Sequence, residues 1–249
     1  MGRPPKGARP ASDPSLTPDF WRNLTGNSKP NQREKFLWLA IDLIRETSLG
    51  QFKVTPIAKR LGYSEAMVNH HFGSRDGLLS ECAETVHSDY SAKLVEATES
   101  APRDPRSRLQ AHIRARFSEG QKLGGWSQVL NYPYHSFESP VIAMARVGAS
   151  FSDSFYRNLL YITQLVVDYR EGTVNHTTID PKNFPAVVLK NDADALAHAI
   201  TIGMATAGGV MWLAGRVDTG THSPEILAFA EMMTSRQTEL LIDIITPRS

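Results

Sequence analysis

Between Thr55 and Phe72 two helix-start signals flank a single glycine, and this arrangement limits the chain more than anything else in it. Thr55 can cap a helix whose first residue is Pro56, because a proline at that position gives up no intrahelical hydrogen bond. Gly62 can end that helix by taking a left-handed backbone conformation. Ser64 can cap the next helix, SEAMVNHHFGS. A longer helix, NQREKFLWLAIDLIRETS, precedes the pair. Two short helices joined by a glycine-containing turn of this length form a helix-turn-helix, whose second helix fits the major groove of DNA.

The residues along IAKRLGYSEAMVNHHFGSRDGLL resemble the DNA-binding signature of the TetR family of one-component regulators. Ile57, Ala58, Gly62, Ser64, His71, Phe72, Ser74, Leu78 and Leu79 fall on the family pattern, in spacing as well as type. Val68 stands in place of the usual leucine, Asn69 in place of tyrosine and Arg75 in place of lysine, and the loop before Thr55 is short. With its first helix included, the match covers about a quarter of the chain.

The resemblance implies a second helix lying in the major groove, with Glu65, Ala66, Met67, Asn69 and His70 as the groove-facing candidates. Val68 and Phe72 should pack inward against Ile57 and Leu61. Asn69 can make a bidentate pair with adenine, and His70 can donate to guanine or phosphate. Met67 can touch a thymine methyl. Glu65 either accepts from a cytosine amino group or turns away from the phosphates. Thr55, His71 and Arg75 match positions that contact the DNA backbone in the family. Simple solvation of Asn69 and His70, and packing of His71 onto a carbonyl, are the competing readings. A metal site at His70–His71 is disfavoured, because adjacent helical residues point in different directions.

The chain is long enough, at 249 residues, for one large or two modest domains. Hydrophobic residues make up 41% and charged residues 21%, as in ordinary soluble proteins. No apolar run reaches bilayer-spanning length, so no membrane partner is expected. The single cysteine, Cys82, fits a reducing cytoplasm and a packed thiol. A nucleoid-associated cytoplasmic location follows from the family resemblance. The net charge of +1 hides an asymmetry. Met1 to Ser80 carries 12 Lys and Arg against 7 Asp and Glu, and the remainder 15 against 19. That is the charge division of a DNA-binding head on a regulatory body.

Residues 1–30 hold six prolines and three glycines and read as a basic, flexible extension. Phe20, Trp21 and Leu24 are the exception and can dock on the body as a short helix after Thr17–Pro18. The start GRPPKGAR resembles an AT-hook, in which Arg3 enters an A·T-rich minor groove. A disordered tail with only non-specific phosphate attraction is the alternative. Residues 31–80 read as the helix-turn-helix domain and 81–249 as the ligand-binding and dimerisation domain.

Capping residues followed by proline recur at Asp104–Pro105, Ser139–Pro140 and Ser223–Pro224, each predicting a helix start. Ser74 should begin a long helix with Leu78, Leu79, Cys82, Val86, Tyr90 and Leu94 along one stripe. A short helix fits Gly125 to Leu130, a long one Ser139 to Arg170, and a loop Gly172 to Pro185. The fold class expected is all-α, a three-helix head plus a larger helical bundle. The last two helices, 192–215 and 223–245, are the candidates for a homodimer interface. Gly203, Gly208 and Gly209 there suggest close helix approach, since interior glycine costs about 1 kcal/mol against alanine. In the family these helices build a four-helix bundle between subunits, and a two-fold dimer suits a pseudo-palindromic double-stranded operator.

The resemblance also implies a pocket for a small-molecule effector among the middle helices. Trp126, Tyr132, Tyr134, His135, Phe137, Met144, Phe151, Phe155 and Tyr156 form an aromatic, partly polar set there. The same residues serve equally as ordinary core. No phosphate loop, metal-spaced cluster or nucleophile elbow is present, so no enzyme, cofactor or metal is expected. The expected function is an effector-released repressor. A DNA-bending or packaging protein without effector sensing is the alternative.

Overall fold

In the computed structural model, residues 13–47, 52–124, 126–127, 149–175, 193–217 and 224–245 are described. They hold nine α-helices and no strand. The chain divides into two compact units, one ending at Ala83 and the other starting at Glu84.

The first unit contains α1 (Pro18–Thr25), α2 (Gln32–Glu46), α3 (Val54–Arg60), α4 (Ala66–Phe72) and the start of α5 (Arg75–Glu99). Asn31 and Glu34 open α2 with a reciprocal capping box, which satisfies backbone donors at both positions. Phe36, Ala40, Ile41 and Ile44 form its buried face. Phe52, Ile57, Ala58, Leu61, Val68, Leu78 and Cys82 complete the core. Full burial of a side chain such as Phe36 contributes about 2–3 kcal/mol. The Cys82 thiol packs over the Leu37 carbonyl, 3.6 Å away, and burial pushes its pKa up, so it is the packed thiol expected.

The short helix after Thr17–Pro18 is α1, and the Thr17 hydroxyl caps it by accepting from the Phe20 N–H. It docks within the first unit. Trp21 is buried, with the Lys35 ammonium 5.7 Å from its ring. The Arg60 guanidinium lies 5.5 Å from the Phe20 ring and donates to Asp13 at 2.8 Å, while the Asp13 N–H donates to the Arg60 carbonyl. A bulky indole needs a wall to cover it, and the nearest wall in sequence is the head.

In the second unit α6 (Pro105–Gln121) packs against α7 (Ala149–Glu171), α8 (Ala193–Val217) and α9 (Pro224–Asp243), and α7 packs on α8. Asp104 caps α6 through the Ser107 N–H, as its Asp-Pro signal predicts. Leu109, Ile113 and Phe117 of α6 meet a core that includes Ile162 and Val166 of α7, Ile202 of α8 and Ile242 of α9, all fully buried. Gly209 of α8 is a point of close approach. A β-carbon there would sit 2.6 Å from the Phe117 ring and 2.8 Å from the Gln237 amide oxygen, so its small size serves packing inside one chain. No helix among the described residues is long and apolar enough to cross a membrane. The Ser139 helix start and most of the Gly125–Leu130 and Gly172–Pro185 segments lie outside the described residues.

Candidate nucleic-acid interface

Three backbone devices present α4. The first is the end of α3, where Gly62 takes φ 71°. Its N–H donates to the Lys59 carbonyl at 3.1 Å, and the Tyr63 N–H donates to the Ala58 carbonyl at 2.9 Å. These are the two bonds of a Schellman closure, and the left-handed turn they require suits a residue without a β-carbon. The second is the start of α4. The Met67 N–H donates to the Ser64 carbonyl and the Val68 N–H to the Glu65 carbonyl, which tightens the first turn. The third is the junction with α5. Ser74 caps α5 by accepting from the Gly77 N–H at 3.0 Å. A β-carbon on Gly77 would lie 2.1 Å from the Phe72 carbonyl oxygen, so glycine alone permits this contact between the end of α4 and the start of α5.

Two expected caps differ. Helix α3 starts at Val54, with Lys53 at the cap position and no side-chain cap bond, so Thr55 lies inside the first turn. The cause is core demand: Phe52 and Val54 are both buried, which draws the helix start ahead of the Thr-Pro signal. Ser64 does not cap α4 with its side chain either, because Glu65 occupies the cap position in helical conformation. The Thr55 hydroxyl instead donates to the Glu65 carboxylate at 2.6 Å, spanning the turn.

With Val68 anchored in the core, 2% exposed, the opposite face of α4 presents Glu65, Ala66, Asn69 and His70 to solvent. These four sit at helical i, i+1, i+4, i+5 positions and share one side. Met67 is half-buried at the edge, and Thr55 is exposed beside Glu65. Phe72 is half-buried, as an inward residue should be, with the Arg33 guanidinium 4.9 Å from its ring. Arg33 is itself paired with Glu81.

His71 stands apart from the exposed set. Its ring packs near Phe36, 6.3 Å between centroids, and its Nε2 is shielded from solvent with no hydrogen-bond partner. Desolvation, then the charges of His70 and Arg33, hold its pKa below the ordinary histidine value. Arg75 is exposed, pairs with Asp76 at 3.1 Å and lies over the Phe52 ring at 5.4 Å. Lys53, exposed at the start of α3, is a basic group the Thr-Pro signal obscured; the apolar pair Phe52 and Val54 on either side of it was the clue. No group of three potential metal ligands occurs among the described residues.

Arg3, Tyr132, Tyr134, His135, Phe137 and Met144 lie outside the described residues. For Phe151, Phe155 and Tyr156 only the backbone, within α7, is described. Trp126 is buried, 1% exposed, in the second unit.

Residues 37–82 match the profile of the family described as bacterial regulatory proteins, tetR family. An HTH-type transcriptional regulator BetI of Stenotrophomonas maltophilia is 27% identical over 134 residues, covering 53% of this chain and 67% of that protein. A BetI of Burkholderia ambifaria is 31% identical over 108 residues, 40% of this chain and 56% of its own length. The chain thus spans little more than half of that relative. A protein of unknown function from Rhodococcus sp. RHA1 shares the fold, with TM-score 0.60, 15% identity, and coverage of 88% of this chain and 96% of that one.

Proposed function

We propose, from the premise that the chain belongs to the TetR family of bacterial regulatory proteins, that it is a dimeric repressor that leaves its operator when a small molecule binds. The observation that carries the DNA-binding part is the exposed row on α4, held outward by buried Val68 and by the turn at Gly62. In this reading Asn69 and His70 read base edges, Ala66 and Met67 meet thymine methyls, and Glu65 faces a base amino group. Thr55, Lys53 and Arg75 neutralise or bond phosphates, with His71 steadying the helix from behind. The Arg3 tail adds minor-groove contact.

Exposed apolar side chains on the last two helices support pairing. Ile200 and Met204 on α8, Phe229, Met232 and Leu240 on α9, and Ile244 just past its end, are large hydrophobic groups left at the surface of a single chain. A C2 pair would cover them and give the two heads the spacing a palindromic site needs. The effector would be held in the second unit, with Trp126, Tyr132, Tyr134, His135, Phe137, Met144, Phe151 and Phe155 as the candidate contacts. A ligand that prefers one spacing of the heads weakens DNA binding by its differential affinity for the two states.

Selection from random duplex DNA with the full-length protein tests this reading. The enriched sites should be inverted repeats, bound at least about a thousandfold tighter than random DNA. N69A should lower affinity about tenfold or more on the enriched site, the worth of one bidentate base contact, and leave random-DNA binding unchanged. A specific-to-random ratio near one would instead identify a packaging protein.

A further inference from the structure

Polar side chains from four helices converge on the buried face of α6. Arg108, His112 and Arg116 stand at successive i+4 positions of that face and are 3%, 0% and 3% exposed. Arg108 donates twice to Glu99 of α5, and Tyr161 of α7 donates to the same carboxylate at 2.9 Å. Two turns further on, the Arg116 Nε donates to the Thr206 hydroxyl of α8 and an Nη to the Asn158 amide oxygen of α7, both at 2.9 Å. His87 of α5, 4% exposed, pairs with Ser91. The Arg116 charge reaches both His87 and His112 and adds to burial in holding each imidazole neutral, with pKa values pushed down to about 3.

His112 sits at the centre of this cluster with one nitrogen accounted for. Its Nδ1 lies 3.1 Å from the Thr98 hydroxyl oxygen. That hydroxyl has a single proton, which goes to the Leu94 carbonyl at 2.7 Å. Thr98 therefore accepts from His112, which fixes the proton on Nδ1 and leaves Nε2 as a lone-pair acceptor. The Nε2 atom is buried and has no hydrogen-bond partner. A buried acceptor without a protein partner is costly, and a fold that keeps one in its interior calls for a reason. The rest of this face, Leu109, Ile113 and Phe117, is wholly apolar.

We propose that His112 and Arg116 form the polar end of a ligand site for the hydroxyl group of an otherwise apolar small molecule, an alcohol or a phenol. The hydroxyl donates its proton to His112 Nε2 and offers its oxygen to the Arg116 guanidinium. A carboxylate has no proton for a neutral imidazole, and an ammonium is repelled by Arg116; a hydroxyl supplies both complements at once. This inference rests on the effector-responsive reading above and adds the chemical class of the effector.

The test uses full-length protein labelled with 15N-histidine. It is titrated with 4-butylphenol, cyclohexanol and 1-decanol, each beside its deoxy counterpart butylbenzene, cyclohexane or decane. At least one hydroxyl compound should move the His112 Nε2 resonance to lower frequency and bind about tenfold or more tightly than its hydrocarbon partner. H112F should bind the two alike, and H112Q, which keeps an acceptor, should retain part of the preference. Equal binding by the wild-type protein, or a resonance that no hydroxyl compound moves, overturns the proposal; in the latter case the nitrogen meets buried water only. Should H112F fail to fold, the wild-type pairs and the resonance still decide. A hydroxyl compound that engages His112 yet leaves operator affinity unchanged would refute effector release while sustaining the site.

Discussion

The Thr55 hydroxyl and the Glu65 carboxylate, ten residues apart, meet at 2.6 Å and tie the first turn of α3 to the cap of α4. Both are exposed on the side of the helix pair that carries Asn69 and His70. An acceptor-only group is thereby fixed at the margin of a surface proposed to meet polyanionic DNA. In the proposed reading it either accepts a hydrogen bond from a base amino group or excludes unsuitable sequences through repulsion.

Replacing Glu65 by Gln separates charge from shape. E65Q should bind random duplexes roughly three- to tenfold more tightly at low salt, because one repulsion of the phosphate field is gone. The discrimination between cognate and random sites should narrow. Fluorescence anisotropy at two salt concentrations measures both; an unchanged random-DNA affinity would place Glu65 away from the interface.

Gly77 sets how closely α5 can follow α4. G77A introduces a β-carbon 2.1 Å from the Phe72 carbonyl, so the backbone must open. A loss of about 1–3 kcal/mol of stability is expected, in the range of other overpacked sites. Chemical denaturation followed by circular dichroism gives the figure, and operator affinity should fall with it.

Asp13 gives the first unit an acid-sensitive fastening. Its carboxyl accepts from Arg60 first and from Ser15 second, and these bonds lower its pKa from 3.8 to about 2. The folded state thus binds the proton less readily than the unfolded chain. The stabilisation is complete above about pH 4 and is lost as pH falls towards 2. In urea titrations the gap between wild type and D13N should be widest at neutral pH and close through that window.

Met232 and Leu240 on α9 are 57% and 49% exposed in the single chain. The double variant M232E/L240E should fold with unchanged helix content and sediment as a monomer in analytical ultracentrifugation. Leu241, next in sequence and only 7% exposed, is the contrast. L241A should cost about 2–4 kcal/mol of stability instead of dissociating a pair.

Local signals were readable where the chain makes its decisions locally. Thr17–Pro18 and Asp104–Pro105 each start a helix where expected, and Pro224 opens α9. Thr55–Pro56 misled because Val54 is needed in the core, and burial outranks a capping preference. The inward placing of Val68 followed from the family resemblance, and the left-handed turn at Gly62 from residue type. What could not be read were pairings made across space: Thr55 with Glu65, Arg60 with Asp13 and Phe20, and His112 with Thr98. Each depends on where separate segments of the chain meet, which no spacing within either segment encodes.

The fastening of α1 changes where the DNA-reading lobe begins. A shortened protein opened at Asn31, or at residue 37 where the family profile starts, would discard the indole of Trp21 and the acid that engages Arg60. The smallest version fit for crystallography or nuclear magnetic resonance therefore opens no later than Asp13, and an affinity tag belongs upstream of that point.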